Sequence, residues 1–384
     1  MTDAENHVLI EASGCAGLIT LNRPKALNAL SLSMIRQITA ALLDWKAQPA
    51  IKLVAIRGTG KNSAHATDNT APAFTPFGSF CAGGDIRYFH QAIFAGDPSL
   101  EDFFTEEYQL NHLIHTYPKP YIAFMDGIVF GGGMGISQGA SHRIVTERTK
   151  MAMPETGIGL FPDVGGGYFL SRCPGRVGEY LALTGLMIGG HDAVASKLAD
   201  VALDSAALGD LWATLPTMVE TSKVAISQLL ATKNIAATAM IHWATGENRI
   251  KVDTIFANNT VPEIMAALEL DGSPWATETA ATLRKRSPLM LHVVLELIRR
   301  ARSMSLADDL RLERDMVRHC FHTHHLGRSG AASETVEGIR ALAVDKDHTP
   351  KWNPQRIEDV TPEMVQPFFT SPWPAPAHPL RDLD

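Results

Sequence analysis

The alternation of apolar and polar positions in the first half of the chain predicts strands and helices in turn. Apolar runs on either side of a Ser-Gly-Cys-Ala-Gly turn predict a β-hairpin over residues 7–22, which Pro24 ends because proline cannot continue a strand ladder. Ser31 is a candidate N-cap for a helix whose apolar residues recur at helical spacing up to Pro49. Further buried strands are predicted at residues 53–58, 121–125 and 143–146. This order indicates an α/β layered fold with a largely parallel sheet.

After about Gly190 the strand signals fade and helical patterns replace them. The segments VAISQLLA, EIMAALEL and PLMLHVVLELIRRA are amphipathic at helical spacing, and the last has Ser287 as its cap and Pro288 at the first helical position. A tail rich in proline and acidic residues is expected to lie over the surface. We therefore divide the sequence into an α/β region, 1–190, which carries the candidate sites, and a helical region, 191–384.

Composition narrows the class of protein. The chain is 45% hydrophobic and 20% charged, and its formal net charge of −7 argues against bulk binding to nucleic acid or to an anionic membrane. Four scattered cysteines without a CxxC pair indicate reduced thiols. The polar, acidic N-terminus has no signal-peptide pattern, and no run approaches the roughly 18 apolar residues of a membrane span. We expect a cytoplasmic protein with no nucleic-acid or membrane partner.

Residues 153–169, MPETGIGLFPDVGGGYF, hold two candidate catalytic acids. Glu155 and Asp163 lie eight residues apart among apolar and glycine residues, and a proline directly precedes each of them. Carboxylates in apolar surroundings tend towards a raised pKa, which suits acid–base chemistry. The simpler interpretation is a pair of helix-cap or turn acids in a glycine-rich loop.

Two glycine-rich corners precede this stretch, and each follows an apparent strand. They are Ala82-Gly83-Gly84-Asp85 and the segment GGGMG at 131–135. A glycine corner that opens a helix leaves backbone N–H groups without intrahelical acceptors, and two such groups can form an oxyanion hole. Neither corner is a dinucleotide-binding or Walker fingerprint, and each taken alone is also explained as a turn.

The order FCAGGDI, FGGGMG, MPETGIGLFPDVGG is far more specific than any of its parts. With these motifs the chain resembles the crotonase (enoyl-CoA hydratase/isomerase) superfamily, and it is most similar to the 3-hydroxyisobutyryl-CoA hydrolase branch. The segments LNRPKALNAL, EEY and EGIRALAVDKDHTPKW extend the resemblance over nearly the whole chain. The resemblance implies an α/β fold with a crotonase-like ββα spiral core followed by an α-helical C-terminal region.

The resemblance also implies roles for individual residues. The thioester carbonyl would sit between the backbone N–H groups of Gly84 and Gly132, while Glu155 and Asp163 would be the catalytic acids. The residues implied to bind substrate and coenzyme A are Lys25, Ala26, Leu27, Ala82, Gly84, Ile86 and Glu107. Hydratases carry their first catalytic glutamate at the position of Gly135, so this chain departs from the two-acid hydratase pattern.

The activity implied by the resemblance is hydrolysis of a short-chain hydroxyacyl-CoA thioester. The preferred substrate would be (S)-3-hydroxyisobutyryl-CoA, an intermediate of valine breakdown. Glu155 would either activate water or attack the carbonyl directly, and Asp163 would orient water or the 3-hydroxyl. No metal or redox cofactor is implied, since coenzyme A enters as part of the substrate.

Two alternatives remain open. One is an enoyl-CoA isomerase or hydratase of the same superfamily with Glu155 as a proton shuttle; Gly135 argues against the hydratase. The other is a non-catalytic, ribosome-associated relative, which would fit better with lost carboxylates and a basic surface. Crotonases are often trimers or hexamers, but the extended C-terminus leaves homo-oligomerisation open.

Several other features are given structural interpretations. The histidines at 319, 322, 324 and 325 lack partnered Cys or acids at zinc spacing, so a structural or surface role is predicted. The run Arg284-Lys285-Arg286 is interpreted as a solvated face, with contact to the phosphates of coenzyme A as the alternative. Residues 61–79 are predicted to form a long surface loop.

Overall fold

The computed structural model describes residues 6–61, 74–234 and 246–384. The strands are β1 Val8–Ser13, β2 Ala16–Leu21, β3 Leu53–Gly58, β4 Gly60–Lys61, β5 Phe74–Thr75, β6 Tyr121–Met125, β7 Ile128–Phe130, β8 His142–Thr146, β9 Lys150–Ala152, β10 Ile188–Gly189 and β11 Val201–Leu203. The α-helices are α1 Leu32–Ala47, α2 Ile86–Ala95, α3 Ser99–His115, α4 Gly132–Gln138, α5 Gly166–Ser171, α6 Val177–Thr184, α7 Gly190–Ala195, α8 Leu208–Thr214, α9 Lys223–Ala231, α10 Gly246–Ile255, α11 Val261–Asp271, α12 Pro274–Leu283, α13 Pro288–Ala301, α14 Leu306–Phe321, α15 Glu334–Ile339 and α16 Pro362–Val365.

Contacts between residues divide the chain into two compact units, each built from separate stretches of sequence. The first unit comprises residues 1–84, 110–151 and 188–240, and the second comprises 85–109, 152–187 and 241–384. The predicted division of the sequence at residue 190 stays a prediction, since it separates regions by their pattern whereas the units are groups of residues in contact. None of the helices among the described residues combines the length and the hydropathy that a membrane span requires.

A six-stranded sheet forms the centre of the first unit. Its order is β1-β2-β3-β6-β8-β11; β1 and β2 pair antiparallel as the predicted hairpin, and the remaining neighbours are parallel. On one face of this sheet Phe77, Phe124 and Trp212 pack ring against ring, and the Arg57 guanidinium lies 4.1 Å from the centroid of the Trp212 ring. Predicted strand residues such as Phe124 thus share this core with Phe77 and with Trp212 of α8, which lie outside the predicted strands.

The second unit is mainly helical. α13 packs against α5 and α6, while α14 packs against α5 and α15. An aromatic cluster joins Phe89 of α2, Phe103 and Phe104 of α3 and Phe321 of α14, with ring centroids 4.8 to 6.4 Å apart. The cap predicted for α13 is confirmed, because Ser287 Oγ accepts a hydrogen bond from Met290 N and Pro288 stands at the first helical position.

The structure corrects the sequence-based prediction in four places. β7 was not among the predicted strands, and β11 adds a sixth strand to the sheet after residue 190, where no strand was predicted. Each has only three residues, which are too few to show a periodic pattern. The tail is not confined to the surface, because Phe368 and Leu380 are almost fully buried. Within the predicted loop at 61–79, β4 and β5 form an antiparallel pair and Phe77 is a core residue; residues 62–73 lie outside the described part.

Candidate active site

Glu155 begins a short 3-10 turn, Glu155–Ile158, in the second unit. Pro154 precedes the turn, and Gly159 ends it in the left-handed region at φ 67°. Helix α15 packs against this turn. Thr335 Oγ1 donates to Gly159 O at 2.6 Å, and a Cβ at Gly338 would lie 2.4 Å from the Ile158 carbonyl carbon. The absence of a side chain at Gly338 thus lets α15 approach closely enough to fix the backbone that carries Glu155.

Asp163 occupies the second, tighter bend of the same stretch. Val164 and Gly165, which follow it, both have positive φ, at 59° and 86°. One oxygen of the Asp163 carboxylate accepts a hydrogen bond from the Tyr108 hydroxyl at 2.7 Å. The side chain is 6% exposed, so this bond forms away from bulk water and holds the carboxylate in one orientation.

A buried glutamate from α14 holds the backbone after Asp163. Glu313 accepts hydrogen bonds from Gly165 N at 2.7 Å and from Gly167 N at 3.0 Å, one on each carboxylate oxygen. Asp309, one turn earlier on α14, accepts from Tyr168 N at 2.7 Å. Together the two acids satisfy N–H groups at the start of α5, which have no intrahelical acceptors.

Glu107, Glu155 and Asp163 form a cluster of buried carboxylates. Burial raises the pKa of Glu107 and Glu155 well above the usual range and raises that of Asp163 to about 6. The charge of Asp163 further raises the pKa of the other two acids, as expected for carboxylates that share one site. In the described part of the chain, Glu107 Oε1 and Glu155 Oε2 are buried without a hydrogen-bond partner, and such atoms are available to a polar ligand.

Arg286 provides a positive charge near this cluster. Its guanidinium donates to Thr184 O from Nε at 2.9 Å and from Nη2 at 2.5 Å. Its charge lowers the pKa of Glu155, against the larger raising effects of burial and of Asp163. The prediction of a solvated face is therefore wrong for Arg286, whereas Arg284 is about half exposed and pairs with Glu269 and Glu358.

The two glycine corners lie side by side in the first unit. Cys81 N donates to Ile128 O and Phe130 N donates to Cys81 O, both at 2.9 Å. The two segments that lead into the corners therefore run parallel to each other. A Cβ at Gly83 would lie 3.6 Å from Gly132 N, and Gly83 itself has φ 97°. Gly132 is the first residue of α4, and its N–H has no intrahelical acceptor. The sequence-predicted oxyanion residues are thus neighbours.

The loop predicted to hold coenzyme A also reaches this corner. Ala82 N donates to Leu27 O at 3.0 Å, and Leu30 N donates to Gly83 O at 2.8 Å. Leu27 is 40% exposed with φ 51°, and Lys25 is exposed on the preceding 3-10 turn. The structure therefore brings the Lys25–Leu27 loop and the Ala82 corner together. Ile86, in the second unit, is the half-buried first residue of α2.

Gly135 and Asn111 are two further buried positions of the first unit. Gly135 is buried within α4, so the helix carries no carboxylate at the position where hydratases place their first glutamate. Asn111 is 3% exposed, and both atoms of its amide lack a hydrogen-bond partner in the described part of the chain. Such a buried and unpaired amide is costly unless a ligand or water satisfies it.

Several residues of this arrangement were not predicted as functional. Asp309 and Glu313 of α14 accept hydrogen bonds from the backbone after Asp163, and no local pattern marks them. Arg286 lies in the basic run that was interpreted as a solvated face. Only the EEY triplet carried a signal for Tyr108, through the family resemblance. The roles assigned to the predicted site residues stay predictions.

Comparison with known proteins identifies the family. The profile of the family described as enoyl-CoA hydratase/isomerase matches residues 16–369, and the chain therefore belongs to this family. Among solved structures, a carnitinyl-CoA dehydratase from Mycobacterium thermoresistibile superposes with a TM-score of 0.84 at 34% identity, covering 99% of this chain and 100% of that one. An enoyl-CoA hydratase from Rhodobacter sphaeroides superposes with a TM-score of 0.80 at 36% identity, covering 95% and 98%. The predicted crotonase-like α/β fold with a helical C-terminal region is confirmed.

Curated relatives are more specific. The chain is 41% identical to the mitochondrial 3-hydroxyisobutyryl-CoA hydrolase of Xenopus laevis over 365 residues, which cover 94% of this chain and 88% of that protein. It is 39% identical to the human mitochondrial 3-hydroxyisobutyryl-CoA hydrolase over 374 residues, covering 96% and 90%. The predicted resemblance to the hydrolase branch is confirmed.

The histidine-rich segment has structural contacts. His319 Nε2 bonds Thr370 O at 2.8 Å, His325 Nε2 bonds Met364 O at 3.0 Å, and His322 Nδ1 bonds Ser329 Oγ at 2.8 Å. In the part of the chain that the structure describes, no group of three or more His, Cys, Asp or Glu side chains is placed to hold a metal ion. His319, on the last turn of α14, and His325, just after it, thus bond backbone carbonyls of the tail.

Proposed function

We propose that this chain hydrolyses (S)-3-hydroxyisobutyryl-CoA to 3-hydroxyisobutyrate and free coenzyme A, as the names of its curated relatives indicate for those proteins. The observation that carries the proposal is the buried pair Glu155 and Asp163 in a chain that has glycine at position 135. Hydration of a double bond would use two acids, and this chain lacks the first of them. Thioester hydrolysis requires only a base or nucleophile and an oxyanion hole.

In the proposed reaction, the Gly84 and Gly132 N–H groups stabilise the negative charge that develops on the thioester oxygen. Glu155 either removes a proton from the attacking water or attacks the carbonyl carbon itself to form an anhydride that water resolves. In both routes a C–O bond forms, the C–S bond breaks, and a proton reaches the departing thiolate. Asp163, oriented by Tyr108, positions water or the 3-hydroxyl group.

The acid limb of the pH profile follows from the buried carboxylates. Glu155 must be ionised to act as base or nucleophile, and burial raises its pKa well above the usual range. The rate of thiol release is therefore expected to fall as the pH drops through that raised pKa.

Placement in valine breakdown follows from the proposed substrate. No metal or redox cofactor is proposed. The cytoplasmic location stays a prediction, since the relatives are named mitochondrial.

The proposal is tested by thiol release from (S)-3-hydroxyisobutyryl-CoA with the wild type and with Glu155→Gln. The variant is expected to lose at least about 100-fold in kcat, the usual scale for a general base. Glu296→Gln, on the exposed side of α13 where Glu296 pairs with Arg300, is the matched control and should keep wild-type activity. Near-wild-type hydrolysis by Glu155→Gln would refute the assignment of Glu155.

Three further measurements separate the alternatives. Oxygen-18 found in the Glu155 side chain after a single turnover in labelled water would identify the anhydride route. Activity on an enoyl-CoA without thiol release would favour the isomerase or hydratase. Thiol release that survives dialysis against a chelator is expected if no metal takes part.

A further inference from the structure

Arg286 lies against the turn that carries Glu155, although it belongs to a basic run whose first member faces solvent. Two of its guanidinium nitrogens, Nε and Nη2, donate to Thr184 O. The third nitrogen, Nη1, lies at Gly157, where a Cβ would be 2.7 Å away. Arg284, two residues earlier, instead pairs with acids at the surface. The two arginines therefore differ in environment although they share one sequence motif.

The position of the guanidinium is fixed by the end of a helix. Thr184 is the last residue of α6, and Gly185 follows it in the left-handed region at φ 62°. Carbonyl groups in the last turn of a helix lack intrahelical donors and carry partial negative charge, so they attract a cation. Two hydrogen bonds to one carbonyl orient the planar guanidinium and direct its remaining nitrogen at the middle of the turn Glu155–Ile158.

Gly157 admits this side chain. Its φ lies outside the left-handed region, so the backbone at this position does not itself require glycine. The Arg286 side chain is the neighbour that a methyl group at Gly157 would meet within 4 Å. The glycine is therefore explained by the space that the guanidinium occupies rather than by backbone strain.

We propose that Arg286 is a positioning residue whose guanidinium holds the turn Glu155–Ile158 in place and favours the carboxylate form of Glu155, with Gly157 providing the space for this guanidinium. This inference rests on the proposed function of Glu155. The other charged groups of the cluster are acidic: Asp163 raises the pKa of Glu155, and Glu155 in turn raises the pKa of Glu107. A single fixed cation opposes that effect.

Other charged groups on the elements packed against the turn are directed elsewhere. Glu334 of α15 accepts from Ser287 Oγ at 3.0 Å. Glu179 of α6 is fully buried and pairs with Arg176 and Arg302 at 2.8 and 2.7 Å. Arg286 is thus the cation whose charge acts on the pKa of Glu155 in the described part of the chain.

The test compares Arg286→Met, Arg286→Lys, Gly157→Ala and the control Arg284→Met over a pH range of about 5 to 9. An opposite charge nearby lowers a carboxylate pKa by about 1–3, so its loss in Arg286→Met should move the acid limb of kcat up by about one pH unit. On the acid side kcat then falls about tenfold beyond any loss on the high-pH plateau, and a loss on the plateau itself measures how much the guanidinium contributes to holding the turn. Arg286→Lys keeps the charge and should restore most of the limb.

Gly157→Ala provides a second, independent perturbation. Its methyl group would displace the end of the flexible arginine side chain, so its acid limb should move in the same direction by a smaller amount. In the Arg286→Met background the same alanine should have no further effect, because the guanidinium is already absent. Arg284→Met removes a surface charge from the same run and should leave the acid limb unchanged. Circular dichroism and urea unfolding establish that each variant is folded.

A readout that does not need turnover separates this inference from the proposed function. Carbon-13 NMR of the glutamate carboxyls, with Glu155 assigned by its absence in Glu155→Gln, gives the titration midpoint of Glu155 directly. A higher midpoint in folded Arg286→Met supports the inference even if the wild type releases no thiol. An unchanged midpoint in both Arg286→Met and Gly157→Ala, or an equal change in Arg284→Met, overturns it.

Discussion

Glu313 holds the backbone after Asp163 through two hydrogen bonds, and their loss should lower the unfolding free energy by an amount that can be predicted. Two N–H groups, those of Gly165 and Gly167, donate to Glu313 in a fully buried environment. Glu313→Ala removes both acceptors and leaves two buried donors unpaired, at about 1–3 kcal/mol each. The expected loss is therefore about 2–6 kcal/mol from a fold whose total stability is of the order of 5–15 kcal/mol.

Two milder variants should destabilise the fold less than Glu313→Ala does. Glu313→Gln keeps the shape of the side chain but turns its NH2 group towards one of the two donors, so about 1–3 kcal/mol should be lost. Asp309→Asn retains a carbonyl oxygen to accept the hydrogen bond from Tyr168 N, and it serves as the matched control with a loss below about 1 kcal/mol. The order of destabilisation should thus be Ala greater than Gln at position 313, and both greater than Asp309→Asn.

The assay is urea unfolding followed by circular dichroism, with thiol release measured on the same preparations. Because Gly166 N donates to Asp163 O at 2.8 Å, loosening of this turn should also displace Asp163 and lower kcat more than it changes KM. If Glu313→Ala unfolds within about 0.5 kcal/mol of the wild type, the two hydrogen bonds do not stabilise the fold as argued.

Two further predictions concern the surroundings of the site. Burial raises the pKa of Glu334 from 4.5 to about 7. The protonated carboxyl therefore contributes stability that is fully present below pH 4.5 and is lost as the pH rises through 7. Between about pH 5 and about pH 8 the unfolding free energy of the wild type should fall by roughly 2 kcal/mol more than that of Glu334→Gln. Urea unfolding at both pH values measures this difference. In the glycine corner, a Cβ at Gly133 would lie 2.4 Å from Cys81 O, a backbone atom that cannot move cheaply. Gly133→Ala should therefore separate the two corners and lower kcat by about 100-fold or more, the scale of losing one oxyanion donor, in a thiol-release assay.

Each of these two predictions has a clear contrary outcome. Parallel stability curves for the wild type and Glu334→Gln would mean that the Glu334 carboxyl ionises without cost. The control for the corner is Gly189→Ala, since a methyl group there meets nothing within 4 Å. If Gly133→Ala is folded and keeps the activity of that control, the close contact between the corners does not matter for catalysis.

Sequence patterns were sufficient where the physical cause is local. The hairpin, α1 and α13 follow from apolar periodicity, a serine cap and a proline at the first helical position, all of which lie within a few residues. The short strands β7 and β11 did not follow, because three residues are too few for periodicity and their pairing partners are distant in the chain.

For the candidate site, the motifs along the chain were enough to single out the two acids and the two glycine corners. The motif order marked Glu155, Asp163, Gly84 and Gly132 as candidates, and the glycine at position 135 argued against a hydratase. Burial and shared charge, which set the protonation of Glu155 and Asp163, arise only when α3, α14 and α15 pack around them. Glu313 and Arg286 follow these acids by more than a hundred residues, so only the tertiary structure could decide that one holds the backbone after Asp163 and the other faces the turn of Glu155.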